Sequence, residues 1–285
     1  MPKKSAPVRS ERSRRPKTSL EGSTPSGGIP EVLVFVSDLH CGSTMGLCPP
    51  EYPTVDGGMY RHNALQAWMW GQWAEAWKWV EREFPEYGVV LNGDLMDGKH
   101  HHSIQLFSAD WKDHVSLAVN CLLPHTEKAR RVWCVRGTEV HVHRWETVIG
   151  QMLGAENVDG ERAPAQIALN VKGCLCHFTH HMPVTSRKYL EAGALSIVLG
   201  NEQLQCARAG RAVPRVVVRG HRHTFGYYSD GRGLAVALPA WQFPTDYVHA
   251  KHPGVVPQVG LVALDWRGKA VGELPEVRTF LRSPQ

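Results

Sequence analysis

The chain has 285 residues, 42% of them hydrophobic and 21% charged, with a formal net charge of +5. These proportions describe an ordinary globular protein with length enough for one large domain or two modest ones. No apolar run approaches the roughly 18 residues of a membrane helix, and no apolar signal core stands at the start, so neither a membrane partner nor a secretory route is expected.

The charge is uneven. Residues 1–29 carry Lys3, Lys4, Arg9, Arg12, Arg14, Arg15 and Lys17 against Glu11 and Glu21, which accounts for the whole net charge. Rich in Ser, Pro and Gly and poor in large apolar groups, this stretch reads as a disordered basic tail. It is either a solubilising leader or an electrostatic contact to nucleic acid. Residues 30–285 read as a single folded domain.

After Pro30 the first strand is expected at 31–36. A helix follows over about 62–84, where Trp70, Trp73, Trp77, Val80 and Phe84 recur at steps of three and four as one buried stripe, ended by Pro85. A strand at 88–91 precedes a helix over about 110–123, stopped by Pro124. A strand at 131–135 and a helix over 145–153, stopped by Gly154, come next. Further strands are expected at 165–171, 174–178, 215–218, 234–238 and 260–264, with a helix somewhere in 186–209. The first half therefore alternates strand and helix, the pattern of an α/β fold.

Seven cysteines are an odd number without the rhythm of a disulfide framework. Cys134, Cys174 and Cys176 fall inside strand-like runs, where a reduced buried thiol is usual. A reducing, cytoplasmic compartment is expected. Sixteen histidines are many for this length, and several stand in pairs beside glycine, as ligands tend to.

Five strands end in turns dense with carboxylate or imidazole. They are Asp38-Leu39-His40-Cys41-Gly42, Gly93-Asp94-Leu95-Met96-Asp97-Gly98, Gly137-Thr138-Glu139-Val140-His141, His180-His181-Met182-Pro183 and Gly220-His221-Arg222-His223. Loops at the carboxyl ends of strands in an α/β sheet can converge on one site. Alternation along the strand sends both members of Asp-x-His, and of His-x-His, to the same side. Carboxylate with neutral imidazole suits manganese, iron, zinc or cobalt. An aspartate from a separate loop, Asp94, can bridge two ions about 3.5–4 Å apart, a spacing that activates water and neutralises a phosphoryl group.

In that order these motifs resemble the calcineurin-like metallophosphoesterases, and they span residues 37–223. The loop at 136–143 and the stretch Pro239-Ala240-Trp241-Gln242 look more like the phage-encoded branch of that family. The resemblance implies a four-layer αββα sandwich, two mixed sheets face to face with helices outside. It implies a phosphate-ester substrate hydrolysed by a hydroxide bridging two divalent transition metal ions. Asp38, His40 and His223 would hold the first ion, Asp94 would bridge, and His180 and His221 would hold the second. His181 would face the pocket without binding metal. Asp97 would support the second loop by hydrogen bonding a catalytic or ligand group.

The third motif departs from the family pattern. Where the family has Asn followed by a catalytic His, this chain has Thr138 and Glu139. Thr138 is a poorer neutral ligand than an amide oxygen. His141, two residues on, is the candidate to supply the missing imidazole, with Glu139 as an alternative metal ligand. Arg136 and Arg222, beside candidate ligands, are candidates for phosphate contact. His100, His101 and His102 read as solvated loop histidines, and Trp241 as packing. The expected activity is phosphomonoester or phosphodiester hydrolysis. The rivals are a nuclease of the same fold, and a non-catalytic binding or scaffold protein with a weakened second metal site.

Overall fold

A computed structural model describes residues 28–99, 104–182, 191–246 and 256–284. The basic tail up to residue 27, the triplet His100-His101-His102 and Pro183 of the fourth motif lie outside the described residues.

Strand β1 (Val32–Val36) is VLVFV, buried throughout, as a strand covered on both faces must be. Its side chains alternate. Val32, Val34 and Val36 enter one core, while Leu33 and Phe35 enter another. The hairpin of β2 (Glu51–Pro53) and β3 (Met59–Arg61) follows. Helix α1 (Ala64–Glu83) starts on a reciprocal cap, with Asn63 Oδ1 accepting from Gln66 N and Gln66 Oε1 accepting from Asn63 N. It ends before Pro85, as expected.

The chain continues through β4 (Gly88–Leu91), α2 (Trp111–Thr126), β5 (Arg131–Cys134), α3 (Glu139–Val142), α4 (Trp145–Met152), β6 (Gln166–Val171) and β7 (Cys174–Thr179). It then adds α5 (Glu191–Arg208), β8 (Val216–Arg219), β9 (Gly226–Ser229), β10 (Leu234–Ala237), β11 (Val259–Asp265) and β12 (Glu276–Arg282). One sheet runs β12-β11-β1-β4-β5 and the other β6-β7-β8-β10-β9. In the first, β1, β4 and β5 are parallel; in the second, β7, β8 and β10 are parallel.

Three apolar clusters separate four layers. The first lies between the β1 sheet and α1, α2 and α4, and includes Trp73, Trp77, Val80 and Leu122. The second lies between the sheets, where Phe35 meets Phe178 edge to face at 5.0 Å. The third lies under α5, where Leu195 and Leu199 cover Val217 and Ala235. The fold is the αββα sandwich of two mixed sheets.

Two local expectations are corrected. Helix α2 does not stop at Pro124 but runs to Thr126. In the last turn proline forfeits one backbone bond, and Glu127 N still closes on Leu123 O at 3.0 Å. The third strand-end loop is not plain loop, because residues 139–142 form the single turn α3. The sequence reading also passed over β2, β3, β9 and β12.

Candidate metal centre

All five motif loops leave the carboxyl ends of parallel strands: β1, β4 and β5 in one sheet, β7 and β8 in the other. Backbone bonds lace them together. Asp38 N donates to Gly93 O at 2.9 Å, His40 N to Asp94 O at 3.0 Å, and Gly220 N to His180 O at 2.9 Å. The Asn92 carbonyl spans the two sheets, accepting from His180 Nδ1 at 2.8 Å and Ser37 Oγ at 3.1 Å.

The local backbone is strained in the motif loops. Eight described non-glycine residues have positive φ, and five of them are Asp38, His40, Asp94, His221 and His223. Left-handed conformations cost non-glycine residues energy and persist where the surroundings enforce them. The loops also approach too closely for side chains. A Cβ on Gly93 would lie 2.7 Å from both Gly137 Cα and His180 Nδ1, and Gly93 has φ +86.

Two groups of donor atoms result: Asp38, His40 and His223, and Asp94, His180 and His221. Asp38, His40, Asp94 and His180 are buried, and His221 and His223 are half-buried. Within the first group His223 Nε2 lies 3.2 Å from Asp38 Oδ1 and 3.3 Å from His40 Nε2. Within the second, His180 Nε2 lies 3.0 Å from Asp94 Oδ2. The two groups adjoin, since Asp94 Oδ2 is 3.9 Å from His40 Nε2 and Asp38 Oδ1 is 3.8 Å from His180 Nε2. Donors about 2.0–2.2 Å from a shared cation stand about 3–4 Å from one another, the spacing found here.

The donors also point inward with lone pairs available. His40 Nδ1 faces Asp97 Oδ1 at 2.8 Å and His180 Nδ1 faces the Asn92 carbonyl, so each ring turns its Nε2 to the centre. His180 Nε2 is buried without a hydrogen-bond partner, 3.0 Å from Asp94 Oδ2. Buried polar atoms are rarely left this way. A cation between the rings and carboxylates would satisfy them.

Electrostatics agree. Burial works against the Asp38 carboxylate, yet His180 and His223 outweigh it and bring its pKa to about 2. Asp94 is likewise held well below the usual carboxylate range, by His180 and His40 against burial. Burial disfavours charge on His180 too, but Asp94 and Asp38 lift it to about 10. His221 is pushed down to about 4 by burial and the neighbouring His180 charge. Two buried carboxylates thus stay ionised and demand positive charge between them. These clusters of buried Asp and His could bind metal.

Thr138 joins the second group. Its hydroxyl donates to Asp94 Oδ2 at 3.0 Å and lies 3.3 Å from His221 Nδ1, and its N–H donates to Asp94 Oδ1 at 2.6 Å. Glu139 does not join: its carboxylate is 69% exposed and 3.8 Å from His143. His141 turns the other way from Glu139 and reaches Asp97, with Nδ1 3.2 Å from Oδ1. Arg222 lies half-buried on the turn between His221 and His223. Arg136 instead pairs with Glu161 and donates to Ala163 O. His181 is exposed, its ring 5.2 Å from that of His221. Trp241 is fully buried edge to face against Trp73 at 4.8 Å, as packing.

The sequence reading did not single out Asn92 or Glu146. The Asn-Gly before Asp94 was visible, but a carbonyl has no residue-type signature. Glu146 stands in the first turn of α4, where an acidic residue is ordinary. A further grouping, His177, Glu202 and Cys206, lies under α5 away from the motif loops. There Glu202 already accepts from Arg219 Nη2 at 2.8 Å and His177 Nδ1 at 2.9 Å. It is a satisfied ion-pair network.

No protein-family model matches the chain, and no curated protein matches it. Among solved structures it is similar to an archaeal phosphodiesterase, with 13% identity, a TM-score of 0.45, and 88% of this chain and 99% of that one covered. It is also similar to Vps29 of Entamoeba histolytica in complex with zinc, at 10% identity and TM-score 0.37 over 88% and 98% of the two chains. A conserved uncharacterized protein of Streptococcus pneumoniae, described as a predicted phosphoesterase, gives 12% identity and TM-score 0.33 over 88% and 97%. Likeness at this level carries no function across, and what the chain can do rests on its own adjoining clusters of buried Asp and His.

Proposed function

We propose that this chain is a two-metal hydrolase of phosphate esters. The observation that carries the reading is the junction of the two donor groups, with Asp94 Oδ2 between His40 Nε2 at 3.9 Å and His180 Nε2 at 3.0 Å. Asp38, His40 and His223 would hold one divalent transition ion, and His180, His221 and Thr138 the other, with Asp94 between them. Carboxylate and imidazole donors without thiolate suit manganese, iron, zinc or cobalt. Bound there, such ions lower the pKa of water and neutralise charge on a phosphoryl group.

The chain's own residues supply the rest. Arg222, between two proposed ligand histidines, would pair its guanidinium with phosphate oxygens. Asp97 holds two rings through one oxygen, that of His40, whose Nε2 would meet an ion, and that of His141. Burial disfavours charge on His141, but Asp97 and Asp94 raise its pKa above the ordinary histidine value. Its role would be to give a proton to the leaving oxygen.

Hydrolysis of an aryl phosphodiester by purified protein with added manganese tests the reading. Turnover that vanishes on chelation and in Asp94→Ala is expected. A metal-loaded chain that hydrolyses neither monoesters nor diesters would leave the binding or scaffold reading in its place. A nucleic-acid substrate is the second reading, supported by the seven basic side chains in residues 1–29.

A further inference from the structure

Glu146 is a buried carboxylate that neither the metal centre nor the leaving-group chemistry uses. It stands in the first turn of α4 with 0% exposure. Its two oxygens go to two different loops. Oε1 accepts from Leu95 N at 2.9 Å and Oε2 from Gly137 N at 2.5 Å. Leu95 follows Asp94 and Gly137 precedes Thr138, so one side chain joins the backbones next to two candidate donors. No described cation lies within ion-pair distance of it.

The two loops also meet directly. A Cβ on Gly137 would collide with the backbone N and the Oδ1 of Asp94. Across this contact Thr138 N and Oγ1 both donate to the Asp94 carboxylate. The relative height of the loops therefore decides where Asp94 Oδ2 and Thr138 Oγ1 stand, 3.0 Å apart.

Resting on the proposed function, we infer that Glu146 is a positioning residue: by clamping Leu95 N and Gly137 N it sets the spacing of Asp94 and Thr138, and so the affinity of the second ion. The chemistry of the residue fits this task alone. Two N–H donors in a buried place need two acceptors. Glutamine offers one oxygen and would aim its own N–H at the other donor, and aspartate is one methylene too short to reach both. Glu139, the acid within the loop itself, is exposed and cannot serve.

Glu146→Gln and Glu146→Asp in the full chain test the clamp, with manganese as the probe. Partners that orient ligands typically change metal affinity 10–100-fold when removed. The second ion should weaken by about that factor in Glu146→Gln, and less in Glu146→Asp, while the first stays bound. A residue that only holds the fold together would lower the melting temperature and weaken both ions alike. Wild-type affinity for both ions, or equal loss of both, would overturn the inference. The amide resonances of Leu95 and Gly137 provide a readout without metal. They should lie downfield in the metal-free wild type and move upfield in Glu146→Gln, and their failure to respond would also overturn it. A wild-type chain that takes up no manganese sinks the proposed function instead, and the two amides then still decide whether the clamp exists.

Discussion

One oxygen of Asp97 serves two histidines: Oδ1 lies 2.8 Å from His40 Nδ1 and 3.2 Å from His141 Nδ1. The ring of a candidate metal ligand and that of a candidate acid are thereby fixed 4.9 Å apart, edge to face. Removing His141 should slow an alkyl phosphodiester by about 10²–10⁴-fold and a nitrophenyl ester far less, since nitrophenolate leaves without a proton. Metal content should not change in His141→Ala. Near-wild-type rates on both esters would make His141 a bystander.

Asp94 is shared between the donor groups, so its loss should be felt in both. Metal analysis of the wild type should give close to two ions per chain, and Asp94→Ala should lose both. An Asp94→Ala protein that keeps its full complement would remove Asp94 from the centre.

Thr138 is the proposed neutral ligand of the second ion, and its hydroxyl is near both Asp94 and His221. Thr138→Val keeps the branched shape and deletes only the oxygen. Chelator competition should show the second ion about tenfold weaker, with the first untouched. Thr138→Asn should strengthen the second ion; unchanged affinity in both variants would exclude position 138 as a ligand.

Much of this was legible because short continuous apolar runs specify the central strands. Strands β1, β4, β5 and β8 contribute alternate residues to two cores, β7 contributes to one, and β11 is buried throughout; the ends of all but β11 carried the polar motifs. What escaped was of three kinds. Strand β9 alternates half-buried and exposed residues at a sheet edge, and β12 buries only Phe280, so neither shows a strong pattern. The turn α3 is too short for a helical period, yet it is what swings His141 toward Asp97 and Glu139 outward. Long-range backbone acceptors such as Asn92 O and the reach of Glu146 depend on the tertiary meeting of loops, which no local spacing records.

The basic stretch lies outside the described residues, and its contribution is a separate question from catalysis. A chain lacking residues 1–29 should hydrolyse a small ester at the wild-type rate. Any DNA or RNA binding should weaken, with a shallower dependence on salt, because phosphate contacts release counterions. Unchanged nucleic-acid affinity and salt slope would leave these residues a leader only.

His125 gives a pH dependence remote from the metal centre. Its ring stacks on Trp77 at 4.1 Å with 3° between planes, and its Nδ1 is buried without a hydrogen-bond partner. Burial pushes its pKa down from 6.5 to about 4; Glu81 opposes the shift and Lys128 adds to it. The folded protein thus holds His125 neutral at a pH where the unfolded chain has already taken up the proton. The associated stability is fully present above pH 6.5 and is lost as the pH falls from 6.5 toward 4. At pH 5 the loss from this one group should be about 1–2 kcal/mol, discounting for its partial exposure. His125→Phe keeps an aromatic face against Trp77 but cannot titrate. Urea unfolding at pH 7.5 and pH 5.0 should therefore show a smaller drop in the variant than in the wild type, by about that amount. Equal drops would mean that His125 is protonated in the folded protein as readily as in the unfolded one, and that the stack on Trp77 does not exclude charge.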